Sequence, residues 1–259
     1  MSPVLAGVRR LTRSATRRSA RDVTAVAARR SALVIAPHPD DETLGCGATI
    51  MHKVAAGSPV TILIVTDGSN SHRSAHLPPA ELARLRRAEM AEAARRLGVA
   101  ADQVRWAGLV DGTVAGNEER LVGVIAETLA AVRPQEVYAT CADEPHPDHA
   151  AVGRAARRAV RASGGAALYE YPVWLWGSWP VHRGNRLGSM VDATGMVVRR
   201  RAVAVRTAPH AAAKRHALDA HASQLARPAA VPPSEPWPGL PDEVLAAAAD
   251  DVELFFPVP

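Results

Sequence analysis

Ala32 to Ala36 is an unbroken apolar run that stops at Pro37, and a second run, Val60 to Thr66, follows about two dozen residues later. Runs of this kind suit strands covered on both faces, because a half-exposed strand would alternate. Residues 42–56 between them have helix-compatible composition and end at Gly57, so the unit reads strand, helix, strand. A crossover of that length is what parallel pairing requires, since a tight hairpin joins only antiparallel neighbours. This βαβ unit fixes the class of fold, and the chain repeats it. Residues 80–97 place Leu82, Leu85, Met90, Ala93 and Leu97 at helical spacings and stop at Gly98. A strand over 104–107, a helix over 118–132 halted by Pro134, a strand over 136–139 and a helix over 149–162 ended by Gly164 and Gly165 follow. The alternation predicts an α/β domain with a mostly parallel sheet and helices on both faces.

Beyond residue 165 the pattern loosens. Strands are expected over 168–171 and 196–205, a helix over 211–224, and a Pro-rich loop over 228–241 before a last segment ending in Phe255 and Phe256. No Gly/Ser linker intervenes, so residues 31–259 are expected to form one domain behind a basic extension, residues 1–30. The apolar fraction of 47% with 22% charged residues is that of a globular protein. No apolar stretch approaches the roughly 20 residues of a membrane span.

The charge balance needs to be located before it is interpreted. Of 31 Lys and Arg and 26 Asp and Glu, residues 1–30 hold eight and one, leaving 23 and 25 for the body, which is therefore close to neutral. The arginines interrupt residues 1–30 every few positions, unlike the apolar core of a secretory signal. Cys46 and Cys141 are the two cysteines, too few for a disulfide framework in a chain of this length. The expectation is a cytoplasmic protein with both thiols reduced and with the basic segment as a solvated extension.

Ligands collect at the carboxyl ends of strands in open α/β sheets. The first strand runs into Ala36-Pro37-His38-Pro39-Asp40-Asp41-Glu42, and the strand over 136–139 into Asp143-Glu144-Pro145-His146-Pro147-Asp148-His149. Two clusters of the same His-Pro-Asp type on one rim are a constellation, whereas a lone His beside an Asp is usually a surface pair. His38, Asp41 and His149 supply the three ligands of a catalytic zinc that keeps a position open for water. Asp40 is then left unligated and near enough to take a proton from that water. His146 could protonate a leaving amine and Asp148 could fix its tautomer. Metal, base and acid together suit hydrolysis of an amide. Gly45-Cys46-Gly47 lacks the third glycine of a dinucleotide fingerprint and lies inside a predicted helix.

The strand-borne Ala-Pro-His-Pro-Asp-Asp-Glu, paired with His-Pro-Asp-His about a hundred residues later, closely resembles the PIG-L/LmbE family of zinc-dependent N-deacetylases. Weaker matches extend over most of residues 32–225: Thr66-Asp67-Gly68, Arg86 with Glu89, Asp111-Gly112, Tyr169 to Pro172, Lys214, Ala217-Leu218, His221 and Ser223-Gln224. The resemblance implies a Rossmann-like fold, zinc at His38, Asp41 and His149 with Fe2+ as the other candidate ion, and Asp40 as general base. It also implies removal of acetyl from an N-acetylglucosaminyl-type amino sugar or glycoconjugate, with Arg86 and Asp111 on sugar hydroxyls. Two positions depart from the pattern. Ser69 stands where many members have Glu, and Glu144 where some have an oxyanion-steadying Tyr.

Two other readings compete. His38, Asp40 and His149 also fit the two-His-one-carboxylate triad of non-haem Fe(II) oxygenases, but Asp41 and His146 would then have no role, and that chemistry belongs to mainly β barrels. A basic-tail nucleic-acid-binding protein with a structural metal would not need the spare Asp40 and His146.

Overall fold

The computed structural model describes residues 3–178 and 202–259. Its strands are β1 (Arg21–Asp22), β2 (Ala32–Ala36), β3 (Val60–Thr66), β4 (Val104–Leu109), β5 (Glu136–Thr140), β6 (Ala167–Tyr171), β7 (Val203–Arg206) and β8 (Val252–Val258). The helices are α1 (Pro3–Ser19), α2 (Thr24–Ala28), α3 (Asp41–Ala55), α4 (Pro79–Leu97), α5 (Glu118–Val132), α6 (Pro147–Ser163), α7 (Leu175–Ser178), α8 (Ala211–Leu218), α9 (Ala222–Leu225) and α10 (Asp242–Ala248). One sheet joins the strands in the order β1-β7-β8-β6-β5-β2-β3-β4. All pairings are parallel except those of β8, which runs antiparallel between β6 and β7.

Side chains alternate across a strand, and here both faces are covered. Val34 and Ala36 of β2 pack with Cys46 and Ile50 of α3 and Met90 of α4 in one core layer. Leu33 and Ile35 pack with Leu121 and Ile125 of α5 and Ala151 and Ala155 of α6 in the other. This two-sided burial is why the strands read as continuous apolar runs. The expected single α/β domain with a mostly parallel sheet is thus what the chain forms.

Differences lie mainly at boundaries. Helix α6 starts at Pro147, two residues ahead of expectation, because proline at a first helical position lacks only an N–H that would have had no partner. Strand β4 continues to Leu109 through a register shift against β3 between Ile64 and Thr66. The helix expected over 211–224 divides into α8 and α9, and His221 between them is fully buried against Glu42. Of the strand expected over 196–205, its end falls within β7 and residues 196–201 lie outside the described residues. Among the described residues, no helix is long and apolar enough to cross a membrane.

The Arg-rich start of the chain is in contact with the domain. Arg21 and Asp22 pair with Val203 and Ala204, Ala27 is buried in the core, and Arg13 and Arg17 reach Asp250 at 2.6 and 2.5 Å. A buried charge also ties this segment down. Lys53 Nζ, fully buried, donates to Ala27 O at 2.6 Å, Arg30 O at 2.9 Å and Glu136 Oε2 at 2.6 Å, while Tyr138 donates its hydroxyl to Glu136 at 2.7 Å. Removing one partner of a buried pair leaves the other charge uncompensated. Lys53→Met is therefore expected to cost about 3 kcal/mol in urea unfolding. A loss under about 1 kcal/mol would show that the pair is not what fastens α2 to the sheet.

Candidate active site

The sheet changes its winding direction between β2 and β5: β3 and β4 extend from one side of β2, β5 and β6 from the other. Loops leaving adjacent strands at such a point diverge and open a crevice at their carboxyl ends. The loop after β2 carries His38 to Asp41, and the loop after β5 carries His146 to His149. Direct pairing of Ala32 to Val34 with Glu136 to Tyr138 brings the two loops side by side although they lie 111 residues apart.

Three donor atoms form a near-equilateral triangle there. His38 Nδ1 lies 3.3 Å from Asp41 Oδ2, His149 Nε2 lies 3.2 Å from the same oxygen, and the two nitrogens are 3.2 Å apart. All three residues are buried. Two imidazole nitrogens and one carboxylate oxygen converging at this spacing make a group able to hold a divalent metal ion, and the donor types suit zinc. Burial alone would raise the Asp41 pKa, but the adjacent His149 and His38 outweigh it and hold the carboxyl well below its ordinary range. Burial lowers the His149 pKa, which keeps its ring in the neutral form a metal requires.

The opposite edge of the His38 ring is also fixed. Its Nε2 lies 3.1 Å from Asp111 Oδ1 and 3.4 Å from Asp148 Oδ2. Despite burial, the carboxylates of Asp111, Asp148 and Asp41 hold the His38 pKa well above its ordinary value; a metal at the triangle would displace the Nδ1 proton and leave the other on Nε2, between Asp111 and Asp148. His38, Asp111 and Asp148 also form a compact group of possible ligands, as do His38, His146 and His149. Asp111 and Asp148, however, face the nitrogen that points away from Asp41 and His149, so they serve as supports of the ring.

Asp148 was expected to fix the tautomer of His146, and the structure gives it other partners. It accepts from Gly112 N at 2.7 Å, Val114 N at 3.1 Å and His38 Nε2, whereas His146 Nδ1 has no partner. The reason is the helix: Asp148 lies in the first turn of α6 and points to the 111–114 loop. His146 lines the cavity, its ring centroid 5.0 Å from that of His38 and 4.9 Å from that of His149. Burial, then the neighbouring His149 and His38, lower its pKa to about 4.

Asp40 stands at the head of α3 with φ at 137°, a region L residues rarely occupy. Such a residue costs of the order of 1–3 kcal/mol and persists only where its surroundings over-determine it. Its carboxylate is turned to Arg86, with Nη2 3.2 Å from Oδ2. Burial raises the Asp40 pKa to about 7, against the opposing charge of Arg86. Asp41, not Asp40, completes the triangle, so the His38, Asp40 and His149 triad of an iron oxygenase is not formed. The Arg86 guanidinium is buried and also donates to Pro39 O at 2.6 Å and Gly68 O at 3.3 Å. A Cβ at Gly68 would stand 2.6 Å from Arg86 Nη1, which explains the glycine of Thr66-Asp67-Gly68. Asp67 in turn accepts from Ser69 N and Asp111 N, so Ser69 supports the loop and does not line the cavity. Glu144 is buried as well and accepts from Val173 N at 2.5 Å, anchoring the turn that carries Trp174. Burial pushes its pKa up to about 8.

A cavity of about 380 Å³ opens beside the triangle, within the range usual for small-molecule sites. His38, Asp40, Asp41, Arg86, Asp111 and His146 line its inner end. Its outer end was not foreseen from sequence: Asn70 to His72, Trp174, Gln224 and residues 238–241 of the Pro-rich loop. That loop is pinned by Trp237, which stacks on His72 at 4.0 Å and donates Nε1–H to Ser223 O at 2.8 Å. Nothing in the spacing of the prolines signals this contact; only the cluster His221 to Gln224 hinted at a role for the region.

The placement of His149 depends on close approach of α6 to the end of β5. A Cβ on Gly153 would lie 2.5 Å from Ala142 N and 2.6 Å from Thr140 O, both backbone atoms that cannot swing away. Gly153→Ala is expected to push α6 outward, to cost about 1–3 kcal/mol by overpacking, and to weaken zinc binding measurably in competition with a chromogenic chelator. Unchanged affinity would mean that α6 position does not set the triangle.

Several known proteins similar to this chain are named as deacetylases. The family model described as PIG-L, GlcNAc-PI de-N-acetylase, matches residues 33–160. A 1D-myo-inositol 2-acetamido-2-deoxy-alpha-D-glucopyranoside deacetylase of Kineococcus radiotolerans is 32% identical over 54% of this chain and 50% of its own length. A probable N-acetyl-alpha-D-glucosaminyl L-malate deacetylase 2 of Bacillus cereus is 31% identical over 51% of this chain and 61% of its own. The chain thus spans about half to three fifths of the length of the curated relatives it matches. Among solved structures, the conserved protein TT1542 of Thermus thermophilus superposes with a TM-score of 0.61 at 27% identity, over 87% of this chain and 93% of its own. The N,N'-diacetylchitobiose deacetylase of Pyrococcus horikoshii has a TM-score of 0.63 at 22% identity over 88% and 84%, a likeness of fold. None of these matches supports an oxygenase or a nucleic-acid-binding protein. The segment 33–160 that matches the PIG-L model contains both His-Pro-Asp loops and all three corners of the donor triangle.

Proposed function

We propose that the protein is a metal-dependent N-deacetylase that hydrolyses the acetamide of an N-acetylglucosaminyl-type amino sugar or its small conjugate. The observation that carries this reading is the triangle of His38 Nδ1, Asp41 Oδ2 and His149 Nε2, opening on a cavity with an unligated carboxylate, Asp40, in its wall. Zinc is the ion we assign to it. When bound, such an ion supplies Lewis acidity, polarising a carbonyl and acidifying a water.

The chain's own groups account for the proton movements. Asp40, with a pKa near 7, takes a proton from the attacking water as its oxygen bonds to the amide carbon. The C–N bond then breaks, and the same carboxyl returns the proton to the departing amine, leaving acetate and a free amino sugar. His146 is neutral at pH 7 because burial disfavours its charged form. We therefore assign it as a hydrogen-bond donor to the carbonyl oxygen as negative charge develops, in place of the proton-donating role its position alone suggests. Asp111, whose carboxylate already accepts from Asn70 N at 3.1 Å, lies in the cavity wall where a sugar hydroxyl would bond to it. Arg86 shares that wall, but its main partners are Asp40 and two backbone carbonyls, so it acts on the base as well as on substrate.

Two measurements test the reading. Purified zinc-loaded protein incubated with N-acetylglucosamine and its glycosides is expected to release acetate, and treatment with a chelator should abolish release; acetate production that survives full removal of metal refutes it. Asp40→Asn is expected to keep metal but lose about 100-fold or more in kcat, whereas His149→Ala loses both. Full turnover by Asp40→Asn would remove Asp40 from the mechanism.

A further inference from the structure

Asp40 is held in its unfavourable backbone conformation from behind, by a carboxylate that touches no part of the cavity. Glu42 is fully buried, and its Oε2 accepts the Asp40 N–H at 3.1 Å. Its other oxygen, Oε1, accepts from the Thr43 hydroxyl at 2.6 Å and faces His221 Nε2 at 3.3 Å. Because Oε1 is occupied by these two donors, the carboxylate cannot rotate away from Asp40 without breaking them. His221 is itself fully buried, at the turn between α8 and α9, and it reaches Glu42 from 179 residues downstream.

The arrangement is related to the returning half of a capping box, but it comes from the second helical residue where the box uses the third. A side chain in the first turn of α3 reaches back to the N–H of the residue that precedes the helix. In an ordinary capping box the preceding residue returns the favour with its own side chain, capping the helix. Asp40 makes no such bond. Its carbonyl accepts from Thr43 N at 3.0 Å and Leu44 N at 2.9 Å, and Arg86 fixes the preceding carbonyl of Pro39. With backbone N–H and C=O both engaged, the Asp40 side chain is released from the helix end and projects into the cavity wall beside Arg86.

We propose that Glu42, braced by His221, is the positioning residue of the reaction: it holds the Asp40 backbone at positive φ and so aims the carboxylate at the place where water reacts. This inference rests on the reading of Asp40 as base. It accounts for two residues that neither line the cavity nor belong to the donor triangle, and for a helix break at a point where the sequence continues a helical pattern. A purely structural role would make the pair a stability device whose loss lowers the melting temperature without altering turnover.

The test uses the zinc-loaded protein and the best N-acetylglucosaminyl substrate from the acetate assay. Glu42→Met, close in size and without an acceptor, is expected to lower kcat about 30-fold with KM within about twofold and one zinc per chain retained. Glu42→Gln restores one acceptor and should recover most of that loss. If Glu42→Met does not fold, His221→Leu leaves Glu42 in place without its brace and is expected to lower kcat about tenfold. A folded, zinc-loaded Glu42→Met with kcat within about twofold of the parent overturns the proposal, as does a loss that Glu42→Gln fails to relieve. A crystal structure gives a readout independent of turnover: in Glu42→Met the Asp40 backbone should leave the positive-φ region, and an unchanged Asp40 overturns the proposal. Inactive Asp40→Asn beside fully active Glu42→Met would refute this inference alone, while active Asp40→Asn would refute the base assignment beneath it.

Discussion

The parallel ladder between β2 and β5 is the constraint on which the site depends. Each strand is completely buried, and each ends in a loop too polar to remain in the core, so the loops emerge together at one rim. The winding reversal leaves room between them, because β2 feeds a helix on one face of the sheet and β5 a helix on the other. Asp41 and His149 then lie in the first turns of those two helices. Their positions are set by rigid elements, which hold a donor set more tightly than a free loop would.

Around that rim the protein buries charged and polar groups and compensates almost every one of them. Lys214 donates to Glu253 at 2.8 Å, and Glu253 accepts from Ala48 N and Thr49 N in the middle of α3. Glu89 accepts from Ser223 N and from its hydroxyl, both at 2.7 Å, tying α4 to α9. Pairs of this kind contribute little net stability when both partners are present, because desolvation offsets their attraction. Their effect is on uniqueness. Each one joins α3 or α4 to the C-terminal part of the chain, and misplacing either element would strand a buried charge. The strain at Asp40 is tolerable within such a framework, since its neighbours cannot relax independently.

Much of the fold was legible because strands buried on both faces and amphipathic helices leave different periodicities. The runs at 32–36 and 60–66 matched their strands to the residue, and the long helix ending at Gly98 was placed within one residue. His38, Asp41 and His149 stand out in the sequence for a related reason: both His-Pro-Asp clusters lie beyond strand ends of the sheet, and strand ends in such sheets are where ligands bind. What periodicity did not show was the partner of each polar side chain. Asp148 and His146 are two residues apart in sequence, yet one turns to the 111–114 loop and the other to the cavity. The Pro-rich strap is a similar case, since its place over the cavity rests on a Trp237 and His72 contact between segments about 165 residues apart.

The charge of the first 30 residues shows the same division. Composition located the excess of arginine, but the geometry decided that Arg13 and Arg17 meet Asp250 and that β1 adds to the edge of the sheet beside β7. By itself the sequence determined which segments are strands and helices and which residue types stand at the strand ends, because backbone periodicity and covalent order are local properties. Only the tertiary structure decided that β2 lies against β5, which nitrogen of His38 faces the triangle, and that Glu42 and His221 stand behind Asp40. Those are matters of orientation between elements distant in the chain, and they are settled by packing and by the cost of burying a polar group without a partner.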